Sequence, residues 1–100
     1  MKTRVFEYQF VDLMPMNIEK GIFYISIPYK IAKHQCACGC GKIIDLIIDE
    51  DFWSITFHGN SISVYPSIGN WNIPCKSHYF IRKSKVVWSY SHKIFLKKSR

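Results

Sequence analysis

Six side chains able to ligate a metal stand in two short stretches: His34, Cys36, Cys38 and Cys40 in "HQCACGCGKI", and Cys75 and His78 in "PCKSH". Thiols this close together make poor disulfide partners, because so short a ring strains the geometry of the bond. A divalent ion suits them better. Zinc holds thiolates at about 2.3 Å, so that sulfurs around a tetrahedron sit about 3.7 Å apart. Side chains at i and i+2 of an extended strand are separated by roughly 6.6 Å. The chain must therefore turn tightly between the cysteines, and Gly39 and Gly41 supply the left-handed backbone angles that allow it. Three neighbouring thiolates are hard to wrap onto one ion, so the expected set is Cys38 with either Cys36 or Cys40, completed by Cys75 and His78. Pro74 fixes the entry to the second turn and the strand restarting at Tyr79 fixes its exit. His34 reads as a packed or supporting residue, and His58 and His92 as exposed ones.

A catalytic zinc needs an open coordination position and a nearby base. "PCKSH" invites comparison with the zinc deaminase signature, but the upstream partner here is His34-Gln35-Cys36, without the required Glu. No HExxH occurs. Asp45, Asp49, Glu50 and Asp51 follow the knuckle strand, where such a run is most simply a solvated turn. A Cys75–His78 nucleophile pair is conceivable, yet nothing marks an oxyanion hole. The spacing therefore favours one structural zinc over an open catalytic one. Its work would be to pin "HQCACGCGK" against "PSIGNWNIPCKSH", with Trp71 packed over the site.

The elements that must hold these ligands read as β. In "RVFEYQF", Phe6, Tyr8 and Phe10 alternate with polar residues, the period-two pattern of a half-buried strand. "GIFYISI" and "KIIDLII" are rich in β-branched residues and give two further strands, with the cysteine segment on a turn between them. "FWSITF" and "SISVYP" form a hairpin about His58-Gly59-Asn60, and "HYFIR" with "VVWSY" forms another. Trp53 and Trp88 fall in these strand patterns. In "PSIGNWNIPC", Pro66, Gly69, Asn70 and Pro74 argue against a regular element and for an ordered loop. "PMNIEKG" is the one candidate for a helical turn. The expected fold is an all-β single domain over 1–92 with a zinc-knuckle or ribbon-like site, followed by a basic tail over 93–100.

One hundred residues with 48% hydrophobic content suffice for one folded domain, though one that a bound metal would help. No apolar run reaches the roughly 20 residues of a membrane span. The start, "MKTRVFEYQFVDL", lacks the apolar core of a secretory signal, so a cytoplasmic protein with reduced thiols is expected. Charge is uneven: residues 1–51 hold six Lys/Arg and all seven acids, while residues 52–100 hold eight Lys/Arg and no acid. Such a half suits nucleic acid or an acidic protein partner, although its cations follow no DNA-reading motif.

The run "GIFYISIPYKIAKHQCACGCG" followed by "VYPSIGNWNIPCKSHYFIRKSKVVW" resembles a family of small bacterial and phage proteins catalogued as a domain of unknown function. Its members carry a CxCGCG-type knuckle, a "SIGN" segment and a "PCxSHY" ending, and the likeness covers roughly residues 15 to 89. Tyr65 stands where the family usually has serine, and Ser84 replaces a common glycine. The resemblance implies metal binding at Cys36, Cys38, Cys40, Cys75 and His78. It also implies an adaptor or accessory role beside bacterial ubiquitin-like conjugation or defence genes. It carries no catalytic residue, and the "SIGN" and "IR-K" positions read either as functional or as shaping the fold. Three functions follow as expectations: a zinc-stabilised adaptor docking on a protein of the ubiquitin-like machinery, a nucleic-acid binder, and a zinc-dependent hydrolase.

Overall fold

The computed structural model describes residues 1–89, so the whole of the proposed tail over 93–100, and His92 before it, lie outside the described residues. Among the described residues eight strands form two four-stranded sheets. The first contains β1 (Glu7–Phe10), β2 (Ile22–Ser26), β3 (Ile31–Gln35) and β4 (Ile43–Ile47) in that order. The second contains β5 (Ser54–Phe57), β6 (Ile62–Gly69), β7 (His78–Arg82) and β8 (Lys85–Trp88), also in order. The all-β expectation holds. Among the described residues "PMNIEKG" makes bends and a turn rather than a helix.

Two further differences and one pairing that the sequence left open are informative. "IAKHQ" forms β3, pairing β2 at Tyr24↔Lys33 and β4 at His34↔Ile44, so the cysteine turn joins β3 to β4. Alternation of buried Ala32 and His34 with half-buried Ile31, Lys33 and Gln35 is a strand period that a histidine on the inward side disguises. β1 and β2 run parallel, with Glu7 opposite Ile22. The "SIG" of "PSIGN" is not loop but the last part of β6, which passes a cis Tyr65–Pro66 bond and an irregularity between Val64 and Ile68 before pairing Gly69 with His78. Proline is excluded from a ladder only where its N–H would be needed.

Inward residues of both sheets make one core, including Phe23, Ile25, Leu46, Ile62, Ile68 and Ile81. Each such side chain contributes roughly 1.5–3 kcal/mol by leaving water. A polar contact crosses this core: His34 Nε2 on β3 lies 2.7 Å from the Tyr79 hydroxyl on β7. The same hydroxyl accepts from the Ala37 N–H at 3.4 Å. Burial holds the His34 imidazole neutral, with its pKa lowered to about 3. His34 is thus a packed core residue stacked on Phe23. Tyr79→Phe strips a partner from His34 and Ala37 without changing shape. It is expected to cost about 1–3 kcal/mol in urea unfolding, the penalty for stranding buried polar groups.

Candidate functional site

The cysteine turn is shaped by backbone that only glycine adopts easily. Gly39 and Gly41 have φ of +91° and +86°. A Cβ on Gly39 would stand 2.5 Å from the Met1 carbonyl oxygen. The Gly39 N–H closes the turn onto the Cys36 carbonyl at 3.1 Å, and the Cys36 N–H reaches the Lys42 carbonyl at 2.8 Å. With the chain folded back this sharply, all three cysteines of the turn converge with Cys75, their sulfurs within 4.8 Å of one another. The sequence had suggested that only two of the three would fit.

The separations Cys36–Cys38 of 3.5 Å and Cys36–Cys75 of 3.7 Å match the edge of a zinc–thiolate tetrahedron. Asn70 Nδ2 and Ser77 Oγ lie 3.5 and 3.0 Å from Cys36 Sγ, the kind of outer contact that orients a ligand. Burial, then hydrogen bonds to Cys40 and Cys36, push the Cys38 thiol well above its usual range. Burial also acts to raise Cys75, but hydrogen bonds from Ser77, and then the neighbouring thiols, outweigh it and bring its pKa down to about 7. Four sulfurs this close can all ionise only around a cation. The cluster is therefore compatible with zinc.

His78 stands apart from this group. It opens β7, and its Nε2 lies 2.7 Å from Ser67 Oγ on β6. Ladder geometry explains the meeting. Gly69 faces His78 across the pair, and side chains two apart on one strand share a face, so Ser67 projects beside the imidazole. The Trp53 indole N–H donates to the Ser67 carbonyl at 3.3 Å and holds that backbone from the other side. Trp71 closes the top edge-on to His78, ring centroids 5.0 Å apart, and Phe80 lies 6.2 Å away on the other flank. Gly69 makes room for this lid, since a Cβ there would stand 2.5 Å from Trp71 Nε1. Gly69→Ala is expected to displace the indole, shifting the His78 ring-proton resonances and costing about 1–3 kcal/mol by overpacking.

A family model described as "Bacterial ubiquitination-like system serine protease (BubE)" matches residues 10–89. The chain belongs to the BubE family. Neither the curated proteins nor the solved structures contain a match. BubE membership ties the chain to bacterial ubiquitination-like systems. Reading by metal-ligand spacing assigned no catalytic residue. Ser67 of "SIGN" lies inside the last part of β6 and His78 of "SHY" opens β7, so the two meet only through the pairing of those strands.

Proposed function

We propose that this BubE-family chain is a serine hydrolase of peptide bonds, with Ser67 as nucleophile and His78 as its general base. The 2.7 Å contact between Ser67 Oγ and His78 Nε2 carries the proposal, being within the reach that proton transfer needs. His78 acts as a neutral imidazole with its proton on Nδ1, so that Nε2 accepts the serine proton. Ser67 Oγ attacks the scissile carbonyl carbon as that proton moves to His78. The imidazolium then protonates the departing amine, leaving an acyl ester on Ser67. Water repeats the sequence in reverse, its proton passing to His78 and returning to Ser67 as the acid leaves. Trp71 and Phe80 screen the imidazole, and Trp53 fixes the Ser67 backbone.

The metal in this reading is one structural zinc held by Cys36, Cys38, Cys40 and Cys75, supported by their mutual distances. When bound it supplies no reacting group, only a cross-link between the β3–β4 turn and the segment that leads into His78. Four thiolates would fill the tetrahedron, which favours the serine reading over a zinc-dependent hydrolase. A fluorophosphonate probe should label Ser67, located by peptide mass spectrometry, and labelling should vanish in His78→Ala. No adduct on folded, zinc-loaded protein would end the proposal.

A second reading, a zinc-stabilised adaptor for a protein of the conjugation machinery in the cytoplasm, is favoured by the outer face of the second sheet. Trp71 is 46% exposed there, and exposed Arg82 lies 4.4 Å over Phe80. On that reading Trp71→Ala or Arg82→Ala abolishes partner capture while the protein stays folded. The two readings separate on whether Ser67→Ala retains capture but loses probe reactivity.

A further inference from the structure

The backbone around Ser67 leaves part of β6 uncovered. β5 pairs with β6 only from Ile62 to Tyr65, and beyond that point no strand among the described residues lies on the side away from β7. Antiparallel ladders alternate hydrogen-bonded with non-hydrogen-bonded pairs. The Asn70 N–H donates to the Ser77 carbonyl at 2.8 Å, so that pair is bonded; the Ser89 N–H takes the His78 carbonyl at 2.9 Å, on the β8 side. Gly69, opposite His78, is therefore in a non-bonded pair, and its N–H and C=O both point away from β7.

They point into a cleft of about 410 Å³ bordered by Ile68, Gly69 and Ile73 on one side and by Ile43 to Leu46 on the other, with Trp53 between. The far wall is also an open edge. The Cys36 N–H takes the Lys42 carbonyl, and the Trp53 N–H takes the Ile47 carbonyl from outside the sheet. By the same alternation the peptide groups of Ile43 and Asp45 face the cleft. Four consecutive residues of an edge strand line this wall, as expected where backbone rather than one face borders a space. The indole of Trp53 both lines the cleft and donates to the Ser67 carbonyl, so the backbone of Ser67 adjoins the cleft two residues before Gly69.

We infer that this cleft takes the substrate as an extended peptide, added as a strand to β6 by exchange of backbone hydrogen bonds with Gly69, and carrying side chains against Ile43 and Ile73 and beside Asn70 and Asn72. The inference rests on the serine-hydrolase reading and adds to it the class of substrate and its binding mode. Strand addition draws affinity from main-chain bonds and specificity from alternate side chains. N–H and C=O groups on two facing edges that pair with no strand among the described residues suit the backbone of an extended chain.

The test compares two probes on the full chain. One is a small alkyl fluorophosphonate, the other a series of apolar peptidyl phosphonates, each N-methylated at a single amide. The wild-type protein should react with the unmodified peptidyl probe at least tenfold faster than with the version methylated at the amide facing Gly69. Methylation at the adjacent amides should have little effect, a period of two that only a strand produces. Ile43→Arg, at an exposed position on the cleft wall, should slow the peptidyl probe at least tenfold and leave the small probe unchanged. Equal loss at every methylated amide, no loss at any, or an Ile43→Arg protein that reacts normally with both probes would overturn strand addition while leaving the hydrolase standing. Failure of the small probe to label Ser67 would remove both.

Discussion

Ser67→Ala is expected to lower turnover of a cleavable peptide by at least about 10³-fold, equivalent to about 4 kcal/mol of barrier, with a nearly unchanged thermal midpoint. The effect is large because the hydroxyl supplies the bond-forming atom. The stability cost is small because Ser67 is only half-buried and loses a single hydrogen bond, about 1 kcal/mol net. His78→Ala should cost a similar factor, and the double variant little more, since the pair acts as a unit. A merely structural contact behaves oppositely. Removing it would move the midpoint and leave the rate per folded molecule intact, and the two losses would add. The measurement is steady-state kinetics of both single variants and the double, each beside its melting curve. Retained turnover in Ser67→Ala would sink the assignment.

The sequence exposed the frame of this site better than its chemistry. Period-two alternation or a richness in β-branched and aromatic residues located seven of the strands. β3 escaped because its inward residue is His34, neutral and buried against Phe23 and Tyr79 rather than apolar in type. The last part of β6 escaped because Pro66 and Gly69 carry the signature of a loop. In the fold each has a reason to be there: Pro66 lies where β5 no longer pairs, and Gly69 must leave space for Trp71. The cysteine cluster was legible because thiols in a glycine-rich turn have few other uses. The serine was not, because hydroxyls are common and nothing in local spacing separates a nucleophile from a surface serine. Only the Gly69–His78 pairing brings Ser67 beside an imidazole eleven positions away.

Because the Ser67–His78 contact depends on a ladder register, the cysteine cluster is linked to it, and on the proposed reading to catalysis. Ser77 connects them: its hydroxyl contacts Cys36, Cys75 and Asn70, and its carbonyl holds the Asn70 N–H, one pair beyond Gly69–His78. A disturbed cluster should therefore loosen the end of the ladder that aligns Ser67 with His78.

Cys75→Ser is consequently expected to unfold most of the molecule, and chelation of the wild-type protein to do the same reversibly. Structural zinc in small peptides contributes on the order of 10–16 kcal/mol of apparent binding free energy at neutral pH. The whole stability of a domain is about 5–15 kcal/mol. A site drawing three ligands from one turn and the fourth from 35 residues further on closes a long loop, so its loss is not local. Elemental analysis should give one zinc per chain, and cobalt substitution should give the intense thiolate charge-transfer absorption of a tetrahedral sulfur site. Each single Cys→Ser change at 36, 38, 40 or 75 should weaken that absorption. His78→Ala should leave it intact if His78 serves Ser67, and diminish it if His78 is instead a ligand, so one spectrum assigns the imidazole. A chelated, metal-free protein that kept its full melting midpoint and its reactivity at Ser67 would show that the thiols hold neither the fold nor the site.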